Sequence, residues 1–157
     1  MPIIIHEIYI EAPIQRCFDL ARNVDIHTQT TASTGEKAVA GKTSGHLEHG
    51  DEVTWEAVHF GIRQQLTAKI IHMEPPHQFV DIMVKGAFHS FKHTHEFVEQ
   101  GTGTIMRDHF EYKSPLGVLG RLADLLFLKS YMTRFLILRA KELKVLAEHT
   151  VDRKYIE

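Results

Sequence analysis

The feature that most constrains this chain is the stretch from Ser114 to about His149, which predicts one long C-terminal helix. Ser114 is a favourable N-cap, and Pro115 stands at the first helical position, where its missing N–H costs nothing. After Gly120, good helix formers dominate and no residue breaks the helix. Such a helix is about 50 Å long, whereas a domain of this size is only about 40 Å across. The helix must therefore cross the whole domain or bend.

A helical wheel gives this helix one narrow polar sector and a wide apolar region. The polar sector contains Arg121, Asp124, Arg139 and Glu142. The apolar region contains Leu119, Leu122, Ala123, Leu125, Leu126, Leu128, Met132, Phe135, Leu136, Ile137 and Ala140. Three interpretations stay open: a core helix packed on a sheet, the wall of an apolar ligand site, and a contact with a dimer partner or a membrane. Charged residues interrupt every candidate window, so we expect no transmembrane segment.

Length and composition indicate one ordinary globular domain. The 157 residues suffice for a sizeable core, and 43 % hydrophobic residues is a typical content for a soluble chain. A net charge of −2 without a cluster of Lys and Arg argues against nucleic-acid binding. A single cysteine, Cys17, excludes a disulfide framework, and the N-terminus has no signal-peptide pattern. We expect a cytoplasmic protein with one domain over residues 1–149 and a loose tail over 150–157.

Hydrophobic patterning divides the rest of the chain into a strand, two short helices and a set of strands. Residues 3–10 predict the first strand, and residues 14–21 and 24–29 predict the two helices. Further strands are predicted at 36–40, 53–60, 63–73, 78–85, 87–99 and 104–112. Short turns between them predict an antiparallel meander. The sequence therefore predicts an α+β fold in which a curved antiparallel sheet packs against the C-terminal helix.

A gap between a curved sheet and a single helix is a natural site for a small molecule. The weakly patterned segment 28–51, rich in Thr, Ser, Gly and His, is of the kind that often rims such a site, and its role as a lid stays open. In the last strand, Asp108 shares a face with Met106 and Phe110 opposite a mostly charged set, which places Asp108 inside. The same reasoning places His93 and His95 inside.

The register of the last hairpin follows from a turn at Gly101-Thr102. The expected cross-strand pairs are Phe97 with Thr104, His95 with Met106, and His93 with Asp108. Opposed side chains on one face are in contact range, so we predict an interior His93–Asp108 pair. A slip of one residue would invert the facing and destroy this pair.

Other strands add candidates for the gap. Trp55 and His59 share a face that we expect to point inward, and Arg63 is placed near the pocket. Phe79 and Asp81 share a face, but the opposite face of that strand is equally apolar, so pattern does not decide its orientation. The predicted ligand-binding residues are Trp55, His59, Arg63, Phe79, Asp81, Phe91, His93, His95, Asp108, Phe110, Leu122 and Leu126.

The histidines and the carboxylate suggest three kinds of chemistry. Two histidines at i and i+2 beside a carboxylate could bind a metal, but spacing defines no third ligand, so we predict neither a metal nor a cofactor. The same groups could form a buried structural network or a polar anchor in an apolar pocket. They could also perform acid–base catalysis, with His93 or His95 as general base and Asp108 orienting it.

Four local stretches resemble a known family. They are Val53-Thr54-Trp55-Glu56-Ala57, Pro75-Pro76-His77-Gln78-Phe79-Val80-Asp81, His93-Thr94-His95-Glu96-Phe97, and Gly103-Thr104-Ile105-Met106-Arg107-Asp108 with the following Pro115-Leu116-Gly117. Over about residues 3–148 the chain resembles the helix-grip fold of the START-related (SRPBCC) superfamily. Within it, the resemblance is to bacterial polyketide cyclase/dehydrase-like and cell-division-inhibitor-like proteins. It implies a hydrophobic cavity between the sheet and the long helix.

The resemblance implies several functions, because members of the superfamily bind lipids, sterols, polyketides or hormones, and a minority catalyse. Our first hypothesis is a non-catalytic carrier or sensor of a small hydrophobic or lipid-like molecule. The alternatives are a cyclase or dehydrase-type enzyme that uses the interior His/Asp pair, and a protein-interaction module with a vestigial pocket. A homodimer stays open.

Overall fold

A seven-stranded sheet and a long C-terminal helix make up most of the computed structural model, which describes residues 1–149. The strands are β1 (Ile3–Ile10), β2 (Lys37–Gly41), β3 (Glu52–His59), β4 (Ile62–Glu74), β5 (Gln78–Lys85), β6 (Ser90–Gln100) and β7 (Gly103–Lys113). The helices are α1 (Ile14–Ala21), α2 (Val24–Thr30), α3 (Gly117–Ala123) and α4 (Lys129–Glu148). A 3-10 turn spans Ala32–Thr34, and a π-helical turn at Asp124–Leu128 joins α3 to α4. The tail predicted at 150–157 lies outside the described residues.

The sheet is antiparallel throughout, in the order β1-β7-β6-β5-β4-β3-β2. Consecutive hairpins build six of the strands, and β1 then pairs with β7, at the opposite edge from β2. Helices α1 and α2 connect β1 to β2 across the sheet, and α4 contacts β1, α1 and α2. The predicted α+β helix-grip fold is therefore confirmed. The strand predicted to begin at residue 87 begins instead at Ser90.

The prediction that Ser114 caps the helix was wrong. The helix begins at Gly117, preceded by Leu116 in the left-handed region with φ 66°. The Ser114 hydroxyl donates instead to Asp124, 2.7 Å away and ten residues further on. The chain folds back closely against its own helix here, since a Cβ built on Gly120 would lie 2.0 Å from the Pro115 carbonyl oxygen. Only glycine permits this approach.

The π-helical turn changes the phase of the long helix. A helical wheel assumes 3.6 residues per turn, and a π turn shifts every later side chain around the axis relative to the earlier ones. Arg139, predicted in the polar sector, lies on the inner face of α4 among cavity residues. Leu122 and Leu126, predicted to face the gap, are 51 % and 68 % exposed. A single helical wheel therefore predicted the wrong facing for residues at both ends of the helix.

The buried residues between helix and sheet form two main clusters, and the larger one lies at the last turns of α4. Phe18 of α1 is fully buried and packs edge-to-face on Phe79 and Phe97, with ring centroids 5.6 and 5.5 Å away. Leu143 and Ala147 bring the last turns of α4 into the same cluster. The first turns of α4 belong to the second cluster, in which Leu136 is buried with Phe91 and Phe110. In the described part of the chain, no helix is long and apolar enough to cross a membrane.

We predict that Phe18→Ala lowers the free energy of unfolding by about 3–5 kcal/mol, the usual cost of deleting a buried aromatic ring. The measurement is urea denaturation followed by circular dichroism. Val98→Ala is the control, because Val98 is 52 % exposed on the sheet and should change stability by no more than about 0.5 kcal/mol. Equal effects of the two substitutions would contradict the position of the core.

Candidate functional site

A cavity of about 300 Å³ lies beside the second cluster, at the end of the helix–sheet space that the Phe18 cluster leaves open. Its volume is at the lower end of the range for small-molecule sites. Its lining comes from β3 to β7, from α2, from the loops around them and from the inner face of the long helix. A smaller pocket of about 60 Å³ lies beside it. The two share His27, Trp55, Ala68, Asp81, His93 and Arg139.

The walls of the larger cavity are mostly apolar. Phe91 and Phe110 pack side by side on adjacent strands, with ring centroids 5.4 Å apart. Opposite them, the helix contributes four side chains at the i, i+3, i+4, i+7 spacing of one face, which are Met132, Phe135, Leu136 and Arg139. The first three are apolar. Arg139 brings a guanidinium into an otherwise apolar wall.

A buried chain of histidines and carboxylates forms the floor. His93 Nε2 lies 2.9 Å from Asp108 Oδ1, and the same oxygen lies 3.2 Å from His95 Nδ1. His95 Nε2 lies 2.9 Å from Asp81 Oδ1. The two imidazoles are in contact, with ring centroids 3.8 Å apart. His93, His95 and Asp108 are all nearly inaccessible to solvent, so these groups interact chiefly with one another.

The predicted His93–Asp108 contact exists, but the register behind it was wrong by two residues. Asp108 lies opposite His95, His93 lies opposite Phe110, and Phe97 lies opposite Met106. A shift of two residues leaves every side chain on its predicted face because the strand period is two. The contact survives because diagonal neighbours on one face are also within reach.

Charge is distributed unevenly within this buried network of histidines and carboxylates. Burial opposes ionisation of Asp81 and Asp108, but hydrogen bonds from the histidines hold the pKa of both carboxyls below the usual range. Burial also opposes protonation of His95, yet the two carboxylates on its ring nitrogens raise its pKa. Burial, together with the charge of His95, lowers the pKa of His93. The two carboxylates thus favour the imidazolium form of His95, whereas burial favours the neutral form of His93.

A second polar pair lies at the α2 side of the cavity. His27 Nε2 is 2.6 Å from Glu36 Oε1, and the His27 ring stacks on Trp55 with centroids 4.0 Å apart. Burial, with the nearby charge of Arg139, lowers the pKa of His27. Burial opposes ionisation of Glu36, but His27 and Arg139 lower its pKa. Part of segment 28–51 is thus cavity wall, and its strand β2 pairs with β3 at the sheet edge.

Arg139 differs from every other charged group of the lining. Glu36 is bonded to His27, Asp81 is bonded to His95, and Asp108 below them is shared by both strand histidines. Arg139 is only partly exposed, and within residues 1–149 it makes no hydrogen bond or ion pair with another side chain. A guanidinium has five N–H donors and no acceptor. Among the described residues, the cavity therefore offers one cationic donor group that its protein neighbours leave free.

The mouth of the cavity lies at the turn between β3 and β4. His59 Nδ1 is 2.6 Å from the Tyr131 hydroxyl oxygen, which joins the sheet to the helix there. Phe60 packs on Tyr131 with ring centroids 4.5 Å apart. Phe60, Ala87 and Pro115 are lining residues that are also exposed to solvent. Burial lowers the pKa of His59, so the His59–Tyr131 contact is a neutral hydrogen bond.

Most of the predicted site residues lie around the two pockets. Those in the lining are Trp55, His59, Phe79, Asp81, Phe91, His93, His95 and Phe110. Asp108 lies under the histidines and does not reach the cavity surface. Arg63 points to the outer face, where it approaches Glu56 and its side chain is 75 % exposed. Its neighbour Gln64 faces inward instead, because Gln64 lies opposite the buried Ala57 while Arg63 lies opposite the exposed Val58.

Sequence patterns missed several lining residues. Tyr131, Phe135 and Met132 follow the spacing of one helix face, but the π turn hid which face is inside. His27 lies in the predicted helix 24–29 and Glu36 at the start of the predicted strand 36–40, but neither pattern indicates that the two side chains meet. Arg139 was missed because a charged residue on a wheel is assigned to solvent.

Asp81, His93 and His95 are also close enough to share a metal ion, since their potential ligand atoms lie within 4.8 Å of one another. Each of these groups already has a hydrogen-bond partner, and His95 uses both ring nitrogens. A metal would have to displace a proton from His95 and break one of its carboxylate contacts. The donor set therefore fits a hydrogen-bonded network better than a metal centre.

We predict that His95 and His93 contribute to stability with opposite pH dependence. The folded-state pKa of His95 is above its ordinary value of 6.5, so its contribution is full below that value and is lost as pH rises through the raised pKa. The folded-state pKa of His93 is below 6.5, so folding must discharge it in acid and its contribution grows as pH rises.

The measurement is the difference in unfolding free energy between the unmodified protein and each of His95→Gln and His93→Gln, from mildly acidic to alkaline pH. The difference for His95→Gln should narrow as pH rises, and the difference for His93→Gln should widen. Nitrogen chemical shifts should show two ring protons on His95 and one on His93 at neutral pH. A neutral His95 in those spectra would refute the charge distribution.

Comparison with solved structures places this architecture in a known fold. A protein of Thermus thermophilus superposes with a TM-score of 0.76 at 20 % identity, covering 92 % of this chain and 95 % of that chain. A START superfamily protein of Mycobacterium smegmatis gives 0.72 at 14 % identity, covering 93 % and 97 %. Ginseng major latex-like protein 151 of Panax ginseng gives 0.67 at 13 % identity, covering 93 % and 97 %.

Sequence comparison adds no narrower assignment. No protein-family model matches the chain, and no curated protein sequence matches it either. At identities of 20 % or less, structural likeness establishes the fold alone. The chain has the START-related helix-grip fold that the sequence predicted.

Proposed function

We propose that this protein binds a small amphipathic molecule in the cavity between the sheet and the C-terminal helix, as a cytoplasmic, non-catalytic carrier or sensor. The observation that carries the proposal is an apolar cavity of about 300 Å³ whose wall holds a guanidinium that no side chain of residues 1–149 pairs. The apolar walls favour a hydrocarbon or ring body. Arg139 favours an acceptor on that body, such as a carboxylate or a carbonyl.

The interior network supports a binding role for the cavity. Phe91, Phe110 and Leu136 supply apolar surface, while His93 and Asp81 supply fixed polar edges at one end. In an apolar pocket, a few precisely placed polar groups fix the orientation of a ligand and make its binding specific. Because Asp81 and both strand histidines are already hydrogen-bonded within the floor, the floor is preorganised before a ligand arrives.

Native mass spectrometry of freshly purified protein tests occupancy directly. A carrier should show an excess mass of a few hundred daltons that disappears on denaturation, and the released compound should contain an apolar body and an oxygen acceptor. Recovery of a cofactor or a metal in its place would overturn the proposal.

We predict that Arg139→Met weakens binding of decanoate about ten- to a hundredfold, because a hydrogen bond to a charged group contributes about 1.5–3 kcal/mol. Binding of decanol, which lacks the carboxylate, should change much less. The measurement is isothermal titration calorimetry with both ligands. Arg134→Met is the matched control, since Arg134 is on the same helix but exposed. Equal losses in the two variants would show that Arg139 does not contact the ligand.

A second candidate function, acid–base catalysis, is favoured by the state of His93. Its ring lines both pockets, its Nε2 bonds to Asp108, and burial favours its neutral form by lowering its pKa. If Nε2 carries the proton, Nδ1 is left as a base. A catalytic His93 predicts that the ligand recovered from His93→Gln differs in mass from the ligand recovered from the unmodified protein. The same compound from both proteins favours the carrier.

A further inference from the structure

A large apolar surface surrounds the cavity mouth and is exposed to solvent. We call it the mouth surface and define it by Phe60, Ile62, Leu116, Val118, Leu119, Leu122, Leu125, Leu126 and Phe127, which are 49–83 % exposed. Val118, Leu122, Leu125 and Leu126 follow one stripe of the helix at i, i+4, i+7 and i+8. Phe60 and Phe127, with ring centroids 5.5 Å apart, join the helix to the β3–β4 turn. Exposed apolar patches of this extent mark interaction sites.

Backbone strain is concentrated in the mouth surface. Within residues 1–149, the only non-glycine residues with positive φ are Phe60, at 53°, and Leu116, at 66°. Both are exposed apolar residues of this surface. A bulky side chain in the left-handed region is unfavourable, and a buried contact that would compensate is absent at Leu116, which is 78 % exposed. Strain of this kind accumulates at functional sites.

The charges on the helical part of the mouth surface are nearly all positive. Residues 113–134 contain four cations, which are Lys113, Arg121, Lys129 and Arg134. The single acid in this stretch, Asp124, accepts hydrogen bonds from Tyr112 and Ser114 and is engaged inside the fold. The whole chain has a formal net charge of −2. The surface is therefore locally cationic on a protein that is otherwise acidic.

We propose that the mouth surface docks the protein on an anionic lipid bilayer. Exposed Leu and Phe side chains inserted at the headgroup boundary, with Lys and Arg beside them, are what interfacial helices use to bind anionic membranes. Phe60, Pro115, Leu128 and Tyr131 line the cavity at this same end. A docked protein would therefore turn its cavity mouth towards the acyl chains.

Charge favours a bilayer over a second copy of the chain. A symmetric dimer built on this surface would place the same patch of both copies face to face. Arg121, Lys129 and Arg134 of one copy would then approach the equivalent cations of the other, with no free acid in the stretch 113–134 to neutralise them. An anionic membrane supplies that neutralisation.

The test is flotation of the full-length protein with phosphatidylcholine vesicles that contain about 30 % phosphatidylglycerol, compared with pure phosphatidylcholine. The protein should float with the anionic vesicles, and salt should weaken this binding. Leu125→Glu and Leu126→Glu should each reduce binding at least about tenfold, since both place a charge in the apolar boundary. Arg121→Gln and Arg134→Gln should each reduce it about fivefold.

Val98→Glu is the matched control, because it puts the same charge on an exposed apolar residue of the sheet, far in sequence from the mouth surface. It should leave vesicle binding unchanged. Thermal unfolding of each variant checks folding, which these exposed positions should not disturb. No binding to anionic vesicles, or equal losses in Val98→Glu and Leu125→Glu, would overturn the proposal. The proposal would also be overturned if the unmodified protein formed a dimer that Leu125→Glu dissociates.

Because vesicle flotation needs no ligand, its result is independent of the proposed carrier function. A protein that floats but binds neither decanoate nor decanol would keep the docking surface and lose the carrier. If the protein binds decanoate but not vesicles, the carrier function is kept and the docking surface is lost.

Discussion

One helix must cover one face of a seven-stranded sheet, and it packs closely against only part of that face. The Phe18 cluster fixes the C-terminal turns of α4 against the sheet and α1. Within residues 1–149 the chain has no second long helix to fill the other end. What remains is a cavity whose walls are the inward faces of five strands and the first turns of α4. The location of the core therefore determines the location of the site.

The carboxylates in that space are organised so that each is hydrogen-bonded to a histidine. Each of Glu36, Asp81 and Asp108 has an imidazole partner, and these pairs make buried carboxylates tolerable in an apolar surrounding. Arg139 differs from them because no side chain in residues 1–149 forms a hydrogen bond or an ion pair with its guanidinium. A cavity with apolar walls and one such cation is complementary to an amphipathic acid, which links the electrostatics of the site to the proposed ligand class.

Much of this architecture could be predicted from sequence because strands have a period of two. Alternation indicated the inward faces of β3, β6 and β7, and those faces were robust even though the register at His95 and Asp108 was wrong by two residues. The helix was less predictable, since a π turn at Asp124–Leu128 changes the phase on which a wheel depends. Leu122 before the turn is exposed, whereas Arg139 after it lies among the cavity residues. His27 and Glu36 come together only through tertiary contacts that no local pattern records.

Nuclear Overhauser effects between decanoate and the protein test most directly whether a ligand occupies the cavity with its acceptor at Arg139. We predict contacts from the decanoate methylenes to Phe91, Phe110 and Leu136, together with a shift of the Arg139 guanidinium resonance. Contacts confined to Leu122 and Leu125 would show that apolar molecules bind only outside, at the exposed helix. Such a result would contradict the cavity as the binding site.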